Sequence, residues 1–441
     1  MRYLIISLLL FACTNNADTT KTTPPLQVTS SKTQTSCLPY PNAYQIQYDA
    51  NLDGIDQYNP PPNFLDSVAN VMDTLSWTTF IALNWPGIKG VAIPNKCIGE
   101  EDTKTVWEGW KSSDDVFLPD GGTPSGWAEN SKLSINCSKQ DTKILMRLSK
   151  TDDVLTSVLE PGEGLAGSPL IDQNGNYTRF EVRMNKPTFD YIIQNKLYNQ
   201  QGQKSFYAAN PDTLLTLPRG CRSDSLGNVE GVGSITIKAA WKILEGKDDK
   251  TRFHTIKALL VSLDGKDTVC QEKLVGLVAL HIVHRTCEAP QGIWSTFEHI
   301  DNAPEKSSLA NLSPQASYNY YNPACKDCPV NVSPSKGQKS QIVRLKPLED
   351  RIVKLNAYFQ SMLRGVNEKS VWQYYQLIGT QWPVGRNPQG SGLPYKPELL
   401  ANTALESYIQ GKSTCMGCHF SAKMTNGKRA DFNFQFSKAK K

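Results

Sequence analysis

The chain is poor in histidine and methionine, with five and seven among 441 residues. Imidazole and thioether ligands are therefore few, and each can be considered by name. A strong charge of either sign is also missing. The formal net charge of +5 by itself argues neither for nor against nucleic acid, and the charge-balanced composition leaves no basic footprint, so no nucleic-acid partner is expected. Beyond residue 12, no apolar run approaches the ~20 residues of a transmembrane helix. There is no glycine-rich phosphate loop and no HExxH, and residues 164–168 (GLAGS) misplace the serine of a GxSxG elbow. The usual signatures of nucleotide binding, zinc proteolysis and serine hydrolysis are thus absent. No repeat of fixed period appears.

The N-terminus carries an address. Arg2 precedes the apolar stretch 3–12, which ends in Leu10-Phe11-Ala12-Cys13. This is too short to span a bilayer and reads as a signal peptide. Its end resembles the lipobox of bacterial lipoproteins, which implies cleavage before Cys13 and lipidation of that thiol. Residues 13–36 are rich in Thr, Asn, Ser and Pro. They cannot bury enough apolar surface to fold, and read as a flexible tether. The expected location is the cell envelope, with the protein held to a membrane by its lipid.

Eleven cysteines are present. Cys415-Met416-Gly417-Cys418-His419 is a CxxCH pentapeptide, the attachment site of a c-type haem. On one helical turn each thiol can add to a porphyrin vinyl group. The S–C bond forms, the thiol hydrogen passes to the vinyl carbon beside it, and no oxidant is needed. His419 then offers its imidazole to the iron. With Cys13 assigned to lipid, eight cysteines remain: Cys37, Cys97, Cys137, Cys221, Cys270, Cys287, Cys325 and Cys328. An even remainder in an oxidising compartment implies disulfides, of unreadable connectivity. Cys325 and Cys328 form a second CxxC, but Pro329 stands where a haem site needs histidine, so this pair reads as structural.

Periodicity predicts an α+β fold, a largely antiparallel sheet flanked by helices, with long disulfide-pinned loops and a C-terminal helical haem-attachment segment. Apolar residues at helical spacing over 63–84 predict an amphipathic helix ended by Pro86. Trp77, Trp85, Trp107, Trp110 and Trp127 then crowd together and read as core. Asn174-Gly175 predicts a hairpin, followed by strand alternation at Phe180, Val182 and Met184. A helix is expected over 188–198, strands over 234–244, 253–263, 274–284 and 293–300, and a hairpin turn at Asp264-Gly265. Residues 302–337 read as a long loop pinned by the second CxxC. A helix is expected over 349–363, a strand over 370–381, and a short helix from Asn402 to Ile409. Ser413 or Thr414 is placed to cap the haem helix. The expected organisation is signal 1–12, tether 13–36, an α+β domain 37–340, and a helical haem segment 341–441 packed on it.

Through Cys415, Cys418 and His419 the chain resembles the c-type cytochromes. More broadly it resembles large secreted bacterial proteins of a cytochrome c family with a C-terminal CxxCH. The phrases carrying this are FIALNWP (80–86), HIVHRT (281–286), WSTFEHIDN (294–302), QLIGTQWP (376–383) and the terminal CMGCH. The resemblance implies one covalent haem c and no established activity beyond it. In small cytochromes the motif opens the domain, whereas here 22 residues follow His419. The upstream domain must therefore help to enclose the porphyrin.

The sixth iron ligand is open to several residues. Met424 lies five residues past His419, where a continuing helix would keep it proximal. His281 and His284 are three apart on a predicted strand, so they face opposite sides. His284 and His299 are the preferred distal candidates, with His254 and His281 behind them. Met146, Met184 and Met362 read as core fillers. Two functions follow. With a strong-field sixth ligand, the haem passes single electrons to and from a redox partner protein. With an open sixth position, it is a haem enzyme or a gas or peroxide sensor, with His284, His299 or Arg285 as distal acid/base groups.

Overall fold

One mixed sheet organises the molecule. The structure, a computed structural model, describes residues 64–100, 104–132, 143–145, 169–209, 211, 214–220, 231–264, 267–287, 289–335, 338–384 and 395–441. The signal peptide, Cys13, the tether, Cys37, Cys137, Cys221, Met146 and Gly265 lie outside the described residues. In chain order the helices are α1 (Phe64–Leu83), α2 (Ser113–Val116), α3 (Lys186–Gln194), α4 (Gln200–Ala209), α5 (Asp350–Val366) and α6 (Cys415–His419). Strands β1 (Gly87–Ile88) and β2 (Val91–Ala92) form a small hairpin. The others are β3 (Lys111–Ser112), β4 (Lys143–Leu145), β5 (Arg179–Met184), β6 (Ile235–Ile243), β7 (Thr255–Asp264), β8 (Asp267–His284), β9 (Ile293–His299), β10 (Tyr375–Pro383) and β11 (Tyr395–Lys396). They join in one nine-stranded sheet of order β11-β10-β9-β8-β6-β5-β3, with β7 on the first half of β8 and β4 on β7. Of the pairings between these described strands, only β4–β7 is parallel. The fold is α+β.

Register decides what each face carries. Lys238, His281 and Thr296 pair across β6, β8 and β9, as do Thr236, Val283 and Trp294. Side chains alternate along a strand, so these six share one face. Ile237, Ile282 and Ser295, and likewise Ala239, Leu280 and Phe297, share the other. That second face receives α1 and α5. Phe80 stacks on Phe297 at 4.3 Å, Trp77 meets Phe297 at 5.1 Å and stacks on Phe359 at 5.1 Å. Each large apolar side chain buried here contributes about 1.5–3 kcal/mol. The first face receives α3, α4 and the C-terminal residues: Met184, Phe189 and Ile192 cluster with Ala422, Met424, Ala430 and Phe436.

The helix-bearing face also holds a buried charge cluster. Lys143 Nζ lies 2.7 Å from Glu181 and 3.6 Å from Glu108. It also sits over the rings of Trp107 and Trp241, 4.7 and 4.6 Å from their centroids. Burial alone would raise the Glu108 carboxyl, but the charges of His254 and Lys143 outweigh it and hold it well below the usual carboxylate range.

Several expectations need correction. Residues 341–441 are not only helical: they supply β10, which pairs with β9 inside the main sheet. The helix placed at 188–198 is α3, which stops at Gln194 short of Lys196 with its left-handed φ of 53°, and a second helix, α4, follows from Gln200. The strand placed at 370–381 starts with a 3-10 turn, Val371–Tyr374. No helix runs from Asn402 to Ile409. Asn402 does accept the amides of Ala404 and Leu405, at 2.9 and 3.2 Å, but Glu298 takes the Thr403 amide at 2.9 Å and ties this segment to β9. The loop after residue 302 does carry the expected CxxC bridge, Cys325 to Cys328, and is also held by backbone bonds such as Ile342 N to Tyr320 O at 2.8 Å.

Candidate functional site

The CxxCH residues form α6, a single turn. Such a turn is unstable alone, because nucleation costs more than one turn of bonds returns. Two side chains supply what it lacks. Thr414 caps it, its Oγ1 accepting from Gly417 N at 3.4 Å. Gln381 of β10 reaches across, its Oε1 accepting from Met416 N at 2.7 Å while its Nε2 donates to Pro397 O at 2.6 Å. Gly417 is required by space: a Cβ there would lie 2.5 Å from both Thr414 Cγ2 and Tyr395 Oη.

After His419 the chain does not continue as a helix. It turns back, with Met424 N donating to Lys428 O at 2.8 Å and Ala430 N to Ala422 O at 3.0 Å. This reversal brings Asp431 and Phe432 beside α6, both left-handed at φ 45° and 60°. Non-glycine residues avoid this region, and the surroundings hold it here. Buried Arg285 donates to Asp431 O at 2.5 Å and to Pro290 O at 2.8 Å, while Leu217 N donates to Asp431 Oδ2 at 2.9 Å. The Phe432 carbonyl then faces His419 and accepts from its Nδ1 at 2.8 Å.

That bond selects the tautomer. Nδ1 carries the proton and Nε2 keeps its lone pair. The half-buried His419 ring lies between Trp294 at 4.6 Å and Phe434 at 5.1 Å. Burial holds the imidazole down to about 4, against the pull of the Phe432 carbonyl; Lys238 and His281 push the same way and Glu406 opposes. The ring is neutral at physiological pH, as a metal ligand must be. Cys415 is half-buried, Cys418 is exposed, and neither is in a disulfide. The other described cysteines all are: Cys97, Cys270, Cys287, Cys325 and Cys328. Two thiols three residues apart, followed by a neutral imidazole with Nε2 available, are a donor set that fits a haem c.

The structure separates the sixth-ligand candidates. Met424 is 3 % exposed and packs among Met184, Tyr207 and Phe436, because the reversal at 422–430 turns it into the core. His299 is fully buried and stacked on Phe253 at 4.1 Å. Its Nε2 bonds Arg252 O at 2.9 Å and its Nδ1 accepts from Asp301 N at 3.1 Å, so both nitrogens are used. His284 points to the helix-bearing face and spends Nε2 on Val232 O at 2.7 Å. His254 stacks on Trp372 at 4.8 Å and pairs with Glu108 at 3.3 Å. Arg285 donates to Pro290 O and Asp431 O. His281 alone of these shares the sheet face that receives α6. Met184 and Met362 are core fillers, as expected. Sequence reasoning ranks His281 low and passes over Trp294, Gln381 and Phe432. The first three lie inside the phrases HIVHRT, WSTFEHIDN and QLIGTQWP, where aromatic or polar residues interrupt otherwise apolar strands.

No described helix is long and apolar enough to cross a membrane. No family model, curated protein or solved structure matches the chain.

Proposed function

We propose that Cys415, Cys418 and His419 hold one covalent haem c, and that the protein is an electron carrier exchanging single electrons with a redox partner protein. The observation that carries this reading is the His419 Nδ1–Phe432 O bond, which presets the tautomer an axial ligand needs. The haem supplies one-electron chemistry when bound. The chain's own residues do the rest: Gln381 and Thr414 hold the turn that presents the thiols, Phe432 orients the imidazole, and Trp294 and Phe434 flank it with apolar surface. Cys13, lipidated, would tether this carrier to a membrane of the cell envelope.

A pyridine haemochrome assay on protein made with an envelope haem-attachment system tests the reading. Wild type should carry one haem that survives denaturation, and Cys418→Ala should lose a thioether and shift the haemochrome band. Wild type without covalent haem would overturn it. A ferric protein that is high-spin and binds carbon monoxide rapidly would instead favour the enzyme or sensor class.

A further inference from the structure

We propose that His281 is the second axial ligand at this site, giving the iron two histidines. This rests on the haem reading above and supplies the residue that reading leaves open.

Position is the first argument. All five histidines are described, and only His281 lies on the same sheet face as the residues around His419. It pairs with Thr296 while its neighbour Val283 pairs with Trp294. Trp294 is thus a diagonal neighbour of His281, within side-chain reach, and its ring lies 4.6 Å from the His419 ring. Lys238 pairs with His281 on its other side. Both bear on His419 electrostatically, as does Glu406.

Availability is the second. His299 spends both ring nitrogens, on Arg252 O and the Asp301 amide, and His284 spends Nε2 on Val232 O. The His281 Nε2, like His254 Nε2 and His284 Nδ1 on the other face, is shut off from solvent and makes no hydrogen bond, a state that costs about 1–3 kcal/mol in a folded protein. A binding partner removes that cost.

Support from behind is the third. Glu406 Oε2 lies 3.3 Å from His281 Nε2 and accepts the Asn402 amide at 3.0 Å. A carboxylate anchored beside a histidine is the usual outer partner of a ligating imidazole, fixing the ring's orientation and raising its basicity. A half-turn of the ring, which places a nitrogen on either edge, lets Glu406 hold one nitrogen while the other donates its lone pair to iron. No electron changes hands in that step. Iron closed on both sides suits a carrier and leaves no site for carbon monoxide.

The experiment is spectroscopy on the full-length holoprotein and three variants, each first assayed for covalent haem by pyridine haemochrome. Wild type should be low-spin and indifferent to carbon monoxide. His281→Ala should keep its haem, become high-spin, bind carbon monoxide and return to low-spin when imidazole is added. His281→Met, which keeps bulk and a strong-field donor should the alanine variant not fold, should stay low-spin with a methionine–iron charge-transfer band. His284→Ala should match wild type. The proposal is overturned if His281→Ala retains haem with an unchanged low-spin spectrum, or if His281→Met shows no methionine ligation. Absence of covalent haem in wild type overturns the haem reading itself and is seen in the haemochrome step before any ligand is tested.

Discussion

His419 Nδ1 and the carbonyl oxygen of Phe432 lie 2.8 Å apart, and the carbonyl points there because Phe432 sits in the left-handed region. Arg285, which holds the preceding residue, therefore acts on His419 through two residues of backbone. Arg285→Met should destabilise the fold by about 3 kcal/mol, since it strips partners from a buried ion pair. It should also loosen His419. Urea unfolding gives the first effect, and faster amide exchange at residues 415–420 the second. An unchanged urea midpoint would remove Arg285 from this role.

The glycine between the two thiols tests the packing of the turn. Gly417→Ala drives a methyl against Tyr395 and Thr414, and overpacking of this kind costs about 1–3 kcal/mol. Adding Tyr395→Phe removes one of the two obstructing atoms. The double variant should recover part of the lost stability, and strict additivity in the double-mutant cycle would refute the contact.

Lys143 neutralises two buried carboxylates at once. Lys143→Met keeps its length but leaves Glu108 and Glu181 short of a cation, and should cost about 3–5 kcal/mol. A loss below about 1 kcal/mol by chemical denaturation would show that the carboxylates find other partners.

His299 makes stability depend on acid. Burial is the main cause holding its imidazole down to about 4, from an ordinary value of 6.5. Between these values the unfolded chain binds the extra proton, so stability rises with pH. The contribution is complete above pH 6.5 and is lost as pH falls through 4. At about 1.36 kcal/mol per pH unit, His299 accounts for about 3 kcal/mol of the loss between pH 7 and pH 4. His299→Gln should be less stable at pH 7 yet lose less on acidification. Equal losses in the two proteins would exclude His299 as the source.

The Cys325–Cys328 disulfide closes a very short loop, for which chain entropy returns only about 2 kcal/mol. Backbone bonds already hold the segment, including Asn331 N to Gln341 O at 2.7 Å. Replacing both cysteines with serine should lower the melting temperature by a few degrees and leave cooperativity intact, as calorimetry can show. Collapse of the fold would mean the loop depends on the disulfide.

Local signals were legible wherever a short stretch of chain carries its own physics. Asn174-Gly175 marked a turn because Gly175 takes a φ of 90°. Alternation marked β5, and helical spacing marked α1 and α5. The segment after Asn402 misled because its cap is real, and only the distant Glu298 stops the helix. The sixth-ligand candidates stayed open for a related reason. His281 and His284 were known to face opposite ways, but nothing local says which face receives the C-terminal residues.

The sequence by itself determined the α+β class, the pairing of Cys415, Cys418 and His419 on one turn, and the division of strand residues between two faces. These follow from bond geometry and periodicities of 3.6 and 2. Tertiary structure alone decided which face α6 lies on, which carbonyl sets the His419 tautomer, and that Met424 belongs to the core. Those outcomes depend on contacts between residues far apart in the chain, such as Gln381 with Met416 and Arg285 with Asp431. Periodicity within a segment says nothing about which distant segment will satisfy its buried polar groups.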